Sequence, residues 1–244
     1  MRTKARFFYL IVFIFFIQII FVSVAAAATR IMPLGNSITY DNHSNDTRPE
    51  GERIAYRYRL WQLLTNAGYD FDFVGSQYAG YAVFPDAENE GWPGATDAEI
   101  ASWIYGFLVD NPADIILLHI GTNGVSIDPG WVEDILDEID RYETNYTTEI
   151  TVILARIINR ACCEEVTPCP ECVTTTTFND NVEDMAYLRV NDQNNPAYPD
   201  KIEIVSMESG AGINYNLQPL GDMYDNLHPD PDGDGYAKMA NVWF

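Results

Sequence analysis

Ser37 ends an apolar run, "RIMPLGNSITYD" (residues 30–41), at the tip of a Gly35-Asn36-Ser37 turn. Gly, Asn and Ser are ordinary turn formers, so a strand ending in a turn accounts for them. A hydroxyl presented at the carboxyl end of a strand is also what an acyl-transfer nucleophile requires. That chemistry needs a base for the hydroxyl proton, a carboxylate to orient the base, and donors for the oxyanion. The chain has 3 histidines, so the base is easily audited. His119 lies inside the apolar run "IILLHIG" and reads as a core residue, whereas His43, in the polar loop "DNHSND", reads as solvated. His228 lies in "DNLHP", three residues after Asp225, so a single turn can point carboxylate and imidazole the same way. Standing alone, such a pair is two loop residues meeting by chance.

The elements that must bring these residues together alternate along the chain. Strand-like apolar runs fall at 30–34, 71–75, 114–121, 149–157 and 201–207. Helix-like periodicity fills 52–68, 96–111, 129–144, 178–192 and 235–244. Gly68 is a C-cap for the first helix, and Thr96 with Glu99 three residues on forms a capping box for the second. The run at 114–121 is apolar throughout, the pattern of a strand covered on both faces. Five strands separated by helices predict a three-layer α/β/α domain around a five-stranded parallel sheet, with right-handed crossovers. Ligands in such folds sit beyond the carboxyl ends of the strands. Ser37, Gly75, Asn123 and the Asp225–His228 pair each follow a strand, so all four should share one edge of the sheet.

The bulk numbers narrow the partners. A chain of 244 residues with 47% hydrophobic and 13% aromatic residues fits one well-filled domain. Residues 1–28 read as a secretory signal: Arg2, Lys4 and Arg6, an apolar run from Phe7 to Val24, then small residues from Ala25 to Ala28. An uncleaved membrane anchor is the other reading of that run. It would leave no linker before the strand that starts at Arg30, and a domain covering 29–244 follows directly. Without residues 1–28, which hold three cations and no acid, 11 basic residues face 36 acidic ones, a formal charge of −25. Such a surface repels nucleic acid and anionic lipid, and it suits neutral substrates better than anionic ones. No stable membrane association is expected once the signal is cleaved.

Two further motifs bear on ligands. Cys162, Cys163, Cys169 and Cys172 all fall in "CCEEVTPCPEC". In an exported chain this reads as two local disulfides stapling one loop, in preference to a zinc knuckle on the Cys169-Pro-Glu-Cys172 spacing. In "DPDGDG" (230–235), Asp230, Asp232 and Asp234 match the first half of a calcium loop. Its twelfth position is Asn241 where a bidentate glutamate belongs, so a structural calcium competes with a solvated acidic turn. The hydrolytic chemistry itself calls for no cofactor.

Taken in order, Gly35-Asn36-Ser37, Gly75 in "DFVGS", Gly121-Thr122-Asn123 and Asp225-Asn226-Leu227-His228 resemble the blocks of the SGNH (GDSL-type) hydrolase superfamily. The resemblance spans Arg30 to Phe244. The contexts "RIMPLGNSIT", "NEGWPGAT" and "HPD…GYAKMA" look most like carbohydrate esterase family three, the acetyl xylan esterases. It implies a flavodoxin-like fold and a secreted serine esterase removing acetyl or other short acyl groups from acylated carbohydrate such as xylan, or from small esters. It also implies a catalytic set of Ser37, Asp225 and His228, with an oxyanion hole from the Ser37 and Gly75 N–H groups and the Asn123 amide. Two positions depart from the family pattern: Asn36 stands where an aspartate is usual, and Gly124 replaces the aspartate after Asn123. The family's last helix runs on past the point where this chain stops, at Phe244. A lipase or phospholipase of the same superfamily, and a catalytically silent carbohydrate-binding module, are the competing readings. No apolar lid-like insertion supports the first. A silent module has no need of all four polar groups.

Overall fold

The structure, a computed structural model, describes residues 27–164, 167, 169–191 and 200–244. The signal-like segment therefore lies outside the described residues except for residues 27 and 28. Strands β1 (Thr29–Gly35), β2 (Phe71–Phe73), β5 (Ile115–His119), β6 (Thr151–Arg156) and β7 (Lys201–Ser206) fall where apolar runs predict them. They pair in parallel in the order β2-β1-β5-β6-β7.

The sheet has seven strands, two more than expected. β3 (Gln77–Tyr78) and β4 (Glu88–Gly91) lie in the segment that reads as a loop, and they pair antiparallel with each other. β4 then runs parallel to the upper end of β1, with Leu34 opposite Glu90 and Gly35 opposite Gly91. β2 occupies the lower end of the same side, with Thr29 opposite Phe71. The sequence Glu-Asn-Glu-Gly has no apolar alternation, so hydropathy gives no hint of β4.

Alternation along the central strands builds two cores. Met32, Leu34, Ile116 and Leu118 face one layer, while Ile31 and Leu117 face the other. The first layer is covered by α3 (Asp97–Asp110), α4 (Gly130–Tyr146) and α5 (Pro170–Asn191), and the second by α2 (Ala55–Ala67) and α6 (Gly235–Trp243). Ile100, Ile104 and Leu108 repeat every fourth residue on α3 and are fully buried, each contributing roughly 1.5–3 kcal/mol. Thr96 caps α3 in the expected box with Glu99, and Gly68 ends α2 with a φ of 80°. α5 begins eight residues before the helix predicted at 178. Pro170 is compatible with the first turn of a helix, where no intrahelical N–H is needed.

Candidate active site

The turn that carries Ser37 is built from β1 outward. β1 stops at Gly35, and a Cβ there would lie 2.4 Å from the His119 carbonyl oxygen, so the close approach of β5 admits only glycine. Asn36 Oδ1 accepts the Ile38 N–H at 3.2 Å and caps the single helical turn α1 (Ser37–Tyr40). Capping needs an oxygen and not a charge, so asparagine serves where the resemblance leads one to expect aspartate. Behind the turn, Arg57 of α2 is wholly buried, a residue the sequence motifs do not single out. Its guanidinium donates to the carbonyls of Thr39 (2.9 Å), Tyr40 (3.3 Å), Arg53 (2.7 Å), Ala79 (2.7 Å) and Ala87 (3.2 Å). Burial lowers its pKa to about 10, which leaves it a cation at neutral pH. Asp41 is buried beside it and accepts from Arg48 and from the Ile54 and Ala55 N–H groups. Tyr56, Arg57 and Leu60 share the buried face of α2.

His228 arrives from the long segment after β7. The Tyr224 N–H donates to the His228 carbonyl at 2.9 Å and the Asp230 N–H to the Asp222 carbonyl at 2.7 Å. These bonds close a hairpin-like loop with Asp225 to His228 at its tip. Asn226 fastens the tip from outside, its carbonyl accepting the Ala161 N–H at 3.1 Å and its Oδ1 the Cys162 N–H at 2.8 Å.

Ser37, His228 and Asp225 meet. Ser37 Oγ lies 2.9 Å from His228 Nε2, across 191 residues of chain. His228 Nδ1 lies 2.9 Å from both carboxylate oxygens of Asp225. A carboxylate only accepts, so Nδ1 carries the proton and Nε2 is left as the acceptor for the serine hydroxyl. Ser37 and His228 are both 8% exposed, which limits competition from water. Burial pushes the Asp225 carboxyl upward. The His228 imidazole, with the Leu227 and His228 N–H groups at 2.8 Å each, outweighs that and brings it down to about 2.

The oxyanion candidates stand at two other strand ends. The Ser37 and Gly75 N–H groups have no hydrogen-bond acceptor among the described residues. Gly75 has a φ of +154°, and a Cβ there would lie 2.2 Å from the Asn89 carbonyl carbon. Glycine is therefore obligatory beside β4. Asn123, in the turn after β5, donates one hydrogen of its amide to the Ala95 carbonyl at 2.9 Å, and its second hydrogen has no acceptor among the described residues.

The remaining chemistry-bearing residues fall elsewhere. His119 is fully buried in β5, accepts the Ile158 N–H at 3.3 Å through Nε2, and is driven to a pKa of about 4 by burial. It is a neutral core residue, as the apolar run suggests. His43 is not solvated: its ring packs against Tyr224 at 3.7 Å between centroids and a tilt of 31°, with its side chain 8% exposed. Asp230, Asp232 and Asp234 do not gather their carboxylates within 4.8 Å of one another. Asp230 Oδ1 accepts the Asp232 N–H at 3.3 Å, a local bond within the acidic turn. The cysteine sulfurs meet in two pairs, Cys162 with Cys169 and Cys163 with Cys172, each with Cα atoms 5.6 Å apart. Sulfurs paired in this way offer no thiolate to zinc. No helix among the described residues is long and apolar enough to cross a membrane.

A scan against protein-family models and a search of curated proteins give no match. Solved structures do match. A family 3 carbohydrate esterase from Clostridium thermocellum is 28% identical with a TM-score of 0.64, over 88% of this chain and 93% of that one. A family 3 carbohydrate esterase from Talaromyces cellulolyticus is 21% identical at a TM-score of 0.64, over 88% and 94%. A GDSL-like lipase from Bacteroides thetaiotaomicron is 15% identical at 0.52, over 88% and 85%, a likeness of fold alone. With the parallel sheet, the 28% identical esterase makes the chain a serine hydrolase acting on ester bonds and similar to the family 3 carbohydrate esterases, while the two more distant structures share its fold.

Proposed function

We propose that the chain is a secreted esterase that removes acetyl or other short acyl groups from a polysaccharide such as xylan, using Ser37 as nucleophile. One observation carries the assignment of residues: the unbroken relay from Ser37 Oγ through the His228 imidazole to Asp225, at 2.9 Å per link. His228 Nε2 takes the hydroxyl proton as Oγ attacks the acyl carbonyl, and Asp225 holds the imidazolium that forms. The carbonyl electrons move onto oxygen, where the Ser37 and Gly75 N–H groups and the free Asn123 amide hydrogen receive them. Collapse expels the sugar alkoxide, which takes the proton from Nε2. Water then attacks the acyl-serine by the same route in reverse, releasing the acid and restoring Ser37.

Secretion rests on the signal-like residues 1–28 and on the paired cysteines, which persist in oxidising compartments. The acetyl and polysaccharide reading rests on the names of the family 3 neighbours and on the acidic surface, which favours a neutral substrate. Hydrolysis of a chromogenic acetate ester and release of acetate from acetylated xylan test it. Activity on both, lost in Ser37→Ala with melting changed by less than about 1 kcal/mol, is expected. Full turnover by folded Ser37→Ala would remove the assigned nucleophile. Activity on the small ester with none on any acetylated polysaccharide would remove the substrate.

A further inference from the structure

We propose that Glu90 is a positioning residue for ester hydrolysis, fixing the direction in which the Gly75 N–H points. The inference rests on Gly75 serving as an oxyanion donor and goes beyond it by naming what aims that donor.

Glu90 lies in β4 opposite Leu34 and is fully buried. No Lys, Arg or His among the described residues forms an ion pair with it. A buried carboxylate without a cation is costly unless donors surround it. Here they do. Oε1 accepts the Ser76 N–H at 2.7 Å, and Oε2 accepts the Ser76 hydroxyl at 3.0 Å and the Trp92 indole N–H at 2.8 Å. Bonds to an ionised acceptor are shorter and stronger than neutral ones, so the ionised form suits this pocket. Burial raises its pKa, and the same three donors oppose that rise.

What the donors are attached to gives the carboxylate its role. Ser76 directly follows Gly75, so two bonds from one residue hold the peptide on the carboxyl side of the candidate donor. Trp92 donates its own backbone N–H to the Gly35 carbonyl at 3.0 Å, two residues before Ser37. One buried carboxylate thus ties the Gly75 turn to the strand that flanks the nucleophile turn. The Asn89 backbone, where a Cβ on Gly75 would clash at 2.2 Å, closes the remaining side. A core filler would need none of this, and an apolar residue would fill the space without desolvating a charge. Its negative charge opposes an oxyanion through space, so the benefit must come from geometry.

Glu90→Gln keeps the volume but turns an NH2 group toward one of three donors, so at least one bond is lost. The expected result is a fall in kcat of about 10–100-fold with KM within about twofold, because a misaimed donor is felt in the transition state. Phosphonylation of Ser37 by a p-nitrophenyl phosphonate, whose P=O oxygen takes the oxyanion position, should slow in parallel. Both are read on folded protein alongside a melting curve. Unchanged kcat, or a raised KM at unchanged kcat, overturns the proposal. If Glu90→Gln does not fold, Ser76→Ala removes one donor and keeps the carboxylate. A fall of about 3–10-fold in kcat at constant KM is then expected, and no change overturns the proposal. Ser37→Ala assayed beside them separates the two levels. Dead Ser37→Ala with unaffected Glu90→Gln defeats this inference alone, and active Ser37→Ala defeats both.

Discussion

Replacing Asp225 by asparagine perturbs the relay with little change in shape. The wild-type carboxylate receives Nδ1–H and two backbone N–H groups. An asparagine oxygen can still accept from the Leu227 and His228 amides, so the loop should keep its form. Facing Nδ1, however, the amide can present N–H, which favours the tautomer protonated at Nε2 and leaves no acceptor for the Ser37 hydroxyl. The expected loss in kcat is about 10³–10⁴. The stability change is small and depends on pH. The folded carboxyl titrates near 2, below its ordinary 3.8. It therefore contributes stability at pH values above about 4 and loses that contribution as pH falls toward 2. With the side chain 29% exposed, screening reduces this to about 1 kcal/mol. Steady-state hydrolysis of p-nitrophenyl acetate at pH 7, with melting curves from pH 3 to 7, reads both quantities. A folded Asp225→Asn within tenfold of wild-type kcat would refute the relay.

Three further outcomes are expected. Asn123→Ala should lower kcat by about 10²–10³ with little change in KM, and should cost about 1 kcal/mol in melting through the lost bond to the Ala95 carbonyl. A rise in KM at constant kcat would instead make Asn123 an ordinary binding residue. Asp86, which accepts the Phe73 N–H at 2.9 Å, is pushed up to about 7 by burial, with Asp72 and Glu88 adding to the rise. Its contribution is full below about pH 4 and is lost as pH climbs to 7, so Asp86→Asn should match wild type at pH 4 and exceed it by about 1–2 kcal/mol at pH 8. Denaturation of both at the two pH values decides this, and a constant difference would contradict it. The purified chain should show no titratable thiol until reductant is added, whereas free thiols with bound zinc would reverse the pairing of the four cysteines.

Much of this fold is legible because its signals are local or strictly periodic. The apolar runs of β1 and β5, the Thr96–Glu99 box and the Gly68 cap all carry their own physical reason. The four polar strand ends follow from topology once the strands are placed. What escapes is burial of polar residues. Asn89, Glu90 and Arg57 are fully buried, and each holds backbone or turn in place near Ser37. Hydropathy assigns all three to the surface. The start of α5 was hidden because Pro170 and the threonine run 174–177 disfavour helix by propensity, and packing of Thr175 and Phe178 overrides it. His43 reads as solvated because its partner, Tyr224, is 181 residues away.

The central claim is that Ser37 Oγ, activated by His228, is the atom that carries the acyl group. Intact-mass and peptide mass spectrometry after treatment with a fluorophosphonate tests it directly. One adduct per chain is expected, on the peptide containing Ser37, abolished in Ser37→Ala and slowed in His228→Ala. Labelling on any other residue, or an unlabelled chain that still hydrolyses acetate esters, would contradict it.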